Sequence, residues 1–216
     1  DLIWFKDRGA GYSHAIMDSS RGRAKIIYPD VVNAEASSGV NDDLVSFDTD
    51  GFKVGSPSSA NSTNGGTTNK VAWQWKANGG TTSSNTDGDL TSTVQFNSTA
   101  KFSIITYTGK NPIEPLDIGH GMGEAPESTF WRNEAPTSTI IKTGENASVN
   151  VANEKFVVYA WKQVQGFSKF GKYVGNGNAN GTFIYTGFKP ACVITKETSG
   201  SGGNWRIFDN ARIGYN

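Results

Sequence analysis

Two histidines, His14 and His120, are the only imidazoles in the chain, and 106 residues separate them. A Ser-His-Asp triad would need one of these two, and nothing in the sequence supports one. Neither sits in a catalytic pattern: no His-Glu-x-x-His, no Gly-x-Ser-x-Gly and no P-loop occurs. His120 lies in Gly119-His120-Gly121, which reads as a glycine-flanked turn. Carboxylates cluster at Asp42-Asp43, Asp48-x-Asp50-Gly51 and Asp87-Gly88-Asp89. The Asp-x-Asp-Gly fragment begins like a calcium loop, but no Glu closes it, so these aspartates are expected in turns. A single cysteine, Cys192, excludes an internal disulfide and a thiolate zinc cage. No catalytic residue, metal or cofactor is expected, and the chain reads as a non-enzyme.

What remains is aromatic and ionic. In Val71-Ala72-Trp73-Gln74-Trp75-Lys76 the residues Val71, Trp73 and Trp75 share one face of a strand, and Val157, Tyr159 and Trp161 repeat that face. Flat rings stack on pyranose faces, which makes Trp73 and Tyr159 the candidate glycan-binding residues. The alternative is a shared core, in which Trp75 and Trp161 are buried at equivalent places with Val71 and Val157. Lys6, Asp18 and Arg21 recur as Lys196, Asp209 and Arg212, and a cross-strand ion pair that fixes hairpin register is expected of each set. Four Asn-x-Ser/Thr sequons, at Asn61, Asn97, Asn146 and Asn180, are ordinary in a chain so rich in these residues.

The elements that must hold these residues are strands. Short runs rich in Val, Ile, Thr and aromatics are expected as strands at Leu2–Lys6, His14–Asp18, Ala24–Tyr28, Leu44–Phe47, Val71–Lys76 and Phe102–Thr108. More follow at Ser138–Lys142, Phe156–Lys162, Thr182–Phe188, Cys192–Thr195 and Trp205–Asp209. Turn formers such as Asp50-Gly51, Asn78-Gly79-Gly80 and Asn176-Gly177 separate them. Ser56–Thr68 and Asn78–Asp89 read as loops, and the best helical candidate, Asp30–Ala36, is short. The expected fold is all-β, a β-sandwich of jelly-roll or lectin-like kind with two related half-units.

Gly, Ser, Thr and Asn supply 86 of the 216 residues, while 20 basic and 20 acidic side chains give a formal net charge of zero. That balance speaks against nucleic acid and against a polybasic membrane anchor as partners. No apolar run approaches 18 residues, so no membrane insertion is expected. The chain opens on Asp1-Leu2 without an initiator Met, as a piece of something longer would.

Repetition organises the whole. The opening hairpin, Leu2–Lys6 with Ala15–Arg21, is matched by the closing one, Val193–Lys196 with Trp205–Arg212. Val71–Lys76 matches Val157–Lys162, and Phe102–Gly109 matches Phe167–Gly175. Gly121–Pro126 matches Thr186–Pro190. Residues 1–126 therefore hold a complete first β unit, and 127–216 a second in which hairpin 191–216 repeats the N-terminal one. Lys6 to Trp75 spans 69 residues but Pro126 to Trp161 only 35, so some 30–40 residues are absent before the second aromatic strand. Either hairpin Cys192–Arg212 folds back into the vacancy beside Phe156–Lys162, or the chain is interrupted at Pro126–Glu127.

In order, the motifs Phe5-Lys6-Asp7-Arg8, Phe47–Phe52, Ala72–Lys76, Ser103–Gly109, Ile118–Gly123, Gly166–Gly171, Gly175-Asn176-Gly177, Tyr185–Pro190 and Asn204-Trp205 are distinctive. Together they resemble an uncharacterised repeat domain of tail-fibre-like and virion structural proteins from marine bacteriophages, cyanophages among them. That resemblance covers nearly the whole chain and brings no catalytic residues. It implies a virion location, on the tail or capsid surface, with other virion proteins as partners and a homo-oligomer, trimer favoured. The function it implies is a tail-fibre or receptor-binding module contacting host surface glycans. A purely architectural capsid decoration or fibre spacer is the alternative, and a tail-associated polysaccharide depolymerase the second.

Overall fold

The computed structural model describes residues 1–39, 41–56, 63–110, 135–144, 146–199 and 203–212. The chain divides at Ala160–Trp161 into two compact units. It is all-β: 36% of residues lie in strands and 2% in helix, against a globular average of 20–25% strand. Among the described residues no helix is long and apolar enough to cross a membrane.

Two sheets and two small hairpins build the first unit. Strands β1 (Leu2–Asp7), β2 (Ala15–Asp18) and β7 (Lys70–Trp75) form a sheet in the order β2-β1-β7. Both pairings are antiparallel: Leu2 faces Asp18 on one side and Trp75 on the other, and Trp4 faces Ile16 and Trp73. A second sheet runs β11-β10-β9-β8, from Lys155–Trp161, Phe102–Thr108, Ser92–Asn97 and Ser83–Asn85. Strands β3 (Lys25–Ile26) and β4 (Ala36–Ser37) make one short hairpin, and β5 (Leu44–Phe47) and β6 (Phe52–Val54) the other.

Alternation along β1 explains the layering. Leu2 joins Ile16, Phe102 and Ile104 in one buried cluster, with Trp4, Trp75, Val157 and Tyr159 packed against it. Ile3 and Phe5 point the other way, into a second cluster with Met17, Ile26 and Leu44. Strand β1 is thus apolar on both faces because both are covered, by the β10–β11 sheet on one side and the small hairpins on the other. Full burial of each such side chain stabilises by about 1.5–3 kcal/mol. Gly79 and Gly80, at φ 62° and 83°, make the tight exit from β7 that the Asn-Gly-Gly sequence predicts.

In the second unit β12 (Cys192–Thr195) pairs with β13 (Arg206–Asp209). The expected strands Ser138–Lys142 and Thr182–Phe188 do not form. Phe183, Ile184 and Tyr185 are exposed, and β-formers without a neighbouring strand have no ladder to join. Asp30–Ala36 is not helical; the helix described, α1 (Ala147–Asn150), is one turn capped by the Asn146 side chain. The loop expected over Asn78–Asp89 contains β8, a polar strand paired with β9 through Ser84 and Thr93. Residues 57–62 of the expected Ser56–Thr68 loop lie outside the described residues, as do His120 and the Pro126–Glu127 step. None of the four residues expected in a shared core is fully buried: Val71, Trp75 and Val157 are half-buried, and Trp161 is 38% exposed. Leu2 on β1 stands opposite Trp75, and the second repeat has no such hairpin ahead of its aromatic strand.

Candidate functional site

Strands β1 and β7 place Trp4 directly across from Trp73, and the ring centroids meet edge to face at 6.1 Å. His14, just ahead of β2, closes the group: its ring lies 5.7 Å from Trp4, also edge-on. The Trp4 indole Nε1–H donates to His14 Nδ1 at 2.8 Å, and the His14 backbone N–H donates to Asp30 Oδ1 at 3.1 Å. An accepting Nδ1 is unprotonated, which fixes the neutral tautomer with its hydrogen on Nε2. Burial agrees, pushing the His14 pKa down against the opposing pull of Asp30, with Lys6 adding to the depression. All three rings are half-buried, so the cluster presents aromatic surface locked in place by packing and one hydrogen bond.

Tyr159 lies elsewhere. Its ring packs against the Leu2–Ile104 cluster, and its hydroxyl donates to Asp18 Oδ2 at 2.6 Å and accepts from an Arg21 Nη at 3.1 Å. Burial first, then the Asp18 carboxylate, pushes the phenol pKa far up. Arg21 in turn reaches Asp18 Oδ2 at 2.6 Å, Glu35 at 2.9 Å and the Ile16 carbonyl at 3.2 Å. This network fastens β11 to the end of β2. Gln95 on β9 makes a second polar tie, donating to Ser20 Oγ at 2.6 Å and Ser19 Oγ at 3.0 Å.

Of the two candidate stacking residues, Trp73 meets Trp4 in the group with His14, and Tyr159 joins an ionic staple. The repeated Lys…Asp-x-x-Arg set is also corrected. Asp18 and Arg21 pair within one turn, where Asp18 Oδ1 also accepts the Ser20 and Arg21 backbone N–H groups. Lys6 instead donates to the carbonyls of Asp7, Ala10 and Tyr12 and holds the hairpin loop. The cross-strand ion pair is Asp7 with Lys70, whose Cα positions are in register. Lys70, Thr68 and the Gly9 N–H keep the Asp7 carboxyl well below the usual range. Its sequence signal was available: counted from the paired Trp4 and Trp73, each partner stands three residues away in opposite directions.

Asp48 sits in the β5–β6 turn, its N–H donating to Gly51 at 2.9 Å, as a turn aspartate should. Among the described residues no group of three His, Cys, Asp or Glu could hold a metal ion. Sequon residues Asn97 and Asn146 spend their side chains on local backbone, Asn97 accepting from Thr99 and Ala100, Asn146 from Ser148.

These features define an all-β protein whose second half repeats its first and whose best-formed surface group is aromatic. The chain belongs to the family described as Domain of unknown function (DUF7483), which it matches twice, over residues 1–129 and 125–216. No curated protein and no solved structure matches it.

Proposed function

We propose that the chain is a non-enzymatic structural module of a bacteriophage virion, placed in a tail fibre, that contacts host surface glycans. The observation carrying this reading is the Trp4–His14–Trp73 group. A ring fixed before the ligand arrives loses little entropy on binding, which suits stacking on a sugar face. Trp73 is the stacking residue in this reading, and Tyr159, held by Asp18 and Arg21, supports the scaffold. The repeat resemblance supplies the virion setting. A glycan array probed with the whole chain tests it: the expected result is binding to a bacterial surface sugar, lost in Trp73→Ala with the thermal transition retained. An empty array, or binding indifferent to Trp73, overturns it.

The architectural reading, as a fibre spacer or capsid decoration, draws on a different feature. Phe167, Phe170, Phe183, Tyr185 and Trp205 of the second unit are exposed, and large exposed apolar sets mark interaction surfaces.

A further inference from the structure

Successive copies of the repeat already touch inside this chain. Strand β10, the Phe-Ser strand of the first copy, lies beside β11, the aromatic strand of the second, in one sheet. The seam is tight at its end. Gly109 donates its N–H to the Glu154 carbonyl at 2.9 Å and accepts from the Asn153 N–H at 3.0 Å. A Cβ on Gly109 would lie 2.1 Å from the Val151 carbonyl oxygen, so no other residue fits without a shift. Tyr107 of β10 stacks on Phe156 of β11 at 5.3 Å.

The second copy carries its own Phe-Ser segment, Phe167–Gly175, one residue longer than Phe102–Gly109. It forms no strand beyond the isolated bridge of Ser168 to Val164, and Phe167, Phe170, Tyr173 and Val174 are exposed. A Cβ on Gly175, the counterpart of Gly109, would meet nothing within 4 Å. At the other end of the repeat stands β7, the first copy's aromatic strand and the counterpart of β11. Its one edge is taken by β1, and no strand among the described residues pairs with the other. Among the described residues, the second copy thus offers a Phe-Ser segment lacking an aromatic strand. The first copy offers an aromatic strand whose outer edge pairs with no described strand.

We propose that Phe167–Gly175 of one molecule adds as a strand to the outer edge of β7 in a second molecule, continuing the β10–β11 seam from chain to chain. This goes beyond the glycan reading and does not depend on it. The second copy is favoured over a foreign partner because both halves of the contact belong to this chain and the seam between consecutive copies is already built. Its direction runs from one copy to the next, so the contact is heterologous, closing into a ring if the rotation allows and otherwise growing. Edge-strand addition supplies backbone hydrogen bonds, the exposed rings supply apolar area, and zero net charge leaves no repulsion to oppose it.

Sedimentation velocity of the whole chain from about 1 to about 100 µM tests the proposal, a range in which weak contacts become populated. Concentration-dependent assemblies are expected of the wild type. The double variant Phe170→Lys, Tyr173→Lys changes only exposed rings and keeps β7, so alone it should remain monomeric. Mixed in excess with wild type it should cap assemblies and shorten them, with hydrogen-exchange protection appearing on β7 amides. A wild type monomeric throughout overturns the proposal, as does a variant that assembles like wild type. Wild-type assemblies indifferent to added variant overturn it too, because they would mean a symmetric contact between like segments.

Discussion

Hairpin β1–β2 and hairpin β12–β13 pair in the same register, and their surroundings differ completely. Leu2 faces Asp18 as Cys192 faces Asp209, and Ile3 faces Met17 as Val193 faces Phe208. The turn leaving each is also the same: Arg212 Nε meets Asp209 Oδ2 at 2.7 Å, as Arg21 meets Asp18, and Asp209 Oδ1 accepts from Ala211 and Arg212. Lys196 donates to the Gly203 carbonyl of its own loop, as Lys6 does to Ala10 and Tyr12. Yet Ile3 and Met17 are 1% and 0% exposed, while Val193 and Phe208 are 40% and 45% exposed. Local sequence therefore suffices for strand pairing, turn and ion pair. Burial is a separate matter, set in the first hairpin by β7 and by the layers on both faces of β1.

Substitutions at matched positions should separate these two contributions, and the largest difference is expected at the aspartates. Asp18 has no exposed side-chain surface and serves Arg21, Tyr159 and two backbone donors, so Asp18→Ala leaves Arg21 buried beside an empty place. Removing one partner of a buried pair costs about 3–5 kcal/mol. The same change at Asp209, itself 8% exposed but paired with an Arg212 that is a quarter exposed, should cost less, about 1–2 kcal/mol. Urea unfolding of the two variants measures both, and equal losses would mean that the layers add nothing to the turn. Next come the facing apolar residues. Met17→Ala should cost about 2–5 kcal/mol as a buried truncation, and Phe208→Ala about 0.5 kcal/mol as a surface change.

Tyr159→Phe probes the staple alone. It keeps the ring against Leu2 and Ile104 but removes the hydroxyl from Asp18 and Arg21, for a loss of about 1–3 kcal/mol in the same assay. No loss would show that the hydroxyl adds nothing to the Asp18–Arg21 pair.

The same contrast explains what the sequence could disclose. Alternation and turn residues located β5, β10 and β12 at their observed bounds, because each carries its own β-forming run between turn signals. Ser83–Asn85 has no such run and is a strand only because β9 lies beside it. Thr182–Phe188 has the run and is not a strand, since nothing described pairs with it. The site divides likewise. Trp73 was legible from its face on β7, but its partners were not: His14 reaches Trp4 around a hairpin loop, and Tyr159 reaches Asp18 across 141 residues. Such contacts follow from which layers stack, and periodicity within one strand says nothing of that.

The smallest expected effect belongs to His14, and it sharpens the comparison because the second hairpin has no imidazole. In the folded protein burial depresses its pKa, and Nδ1 must stay unprotonated to accept from Trp4. Asp30 opposes the depression and Lys6 assists it. The unfolded chain, with an ordinary pKa near 6.5, then binds more protons than the folded one as pH falls through that value. Stability is therefore fully present above about pH 6.5 and declines below it. Asp7 adds a separate loss at lower pH: its carboxyl is depressed in the folded state by Lys70 and Thr68, so its contribution fades only below about pH 4, where the unfolded carboxylate titrates. The His14 window opens near pH 6.5 and the Asp7 window near pH 4. In His14→Gln an amide acceptor remains for Trp4 while the titration disappears, so the slope just below pH 6.5 should flatten and the loss that begins below pH 4 should persist. An unchanged upper slope would place the titrating group elsewhere and remove His14 as the lock on the Trp4–Trp73 pair.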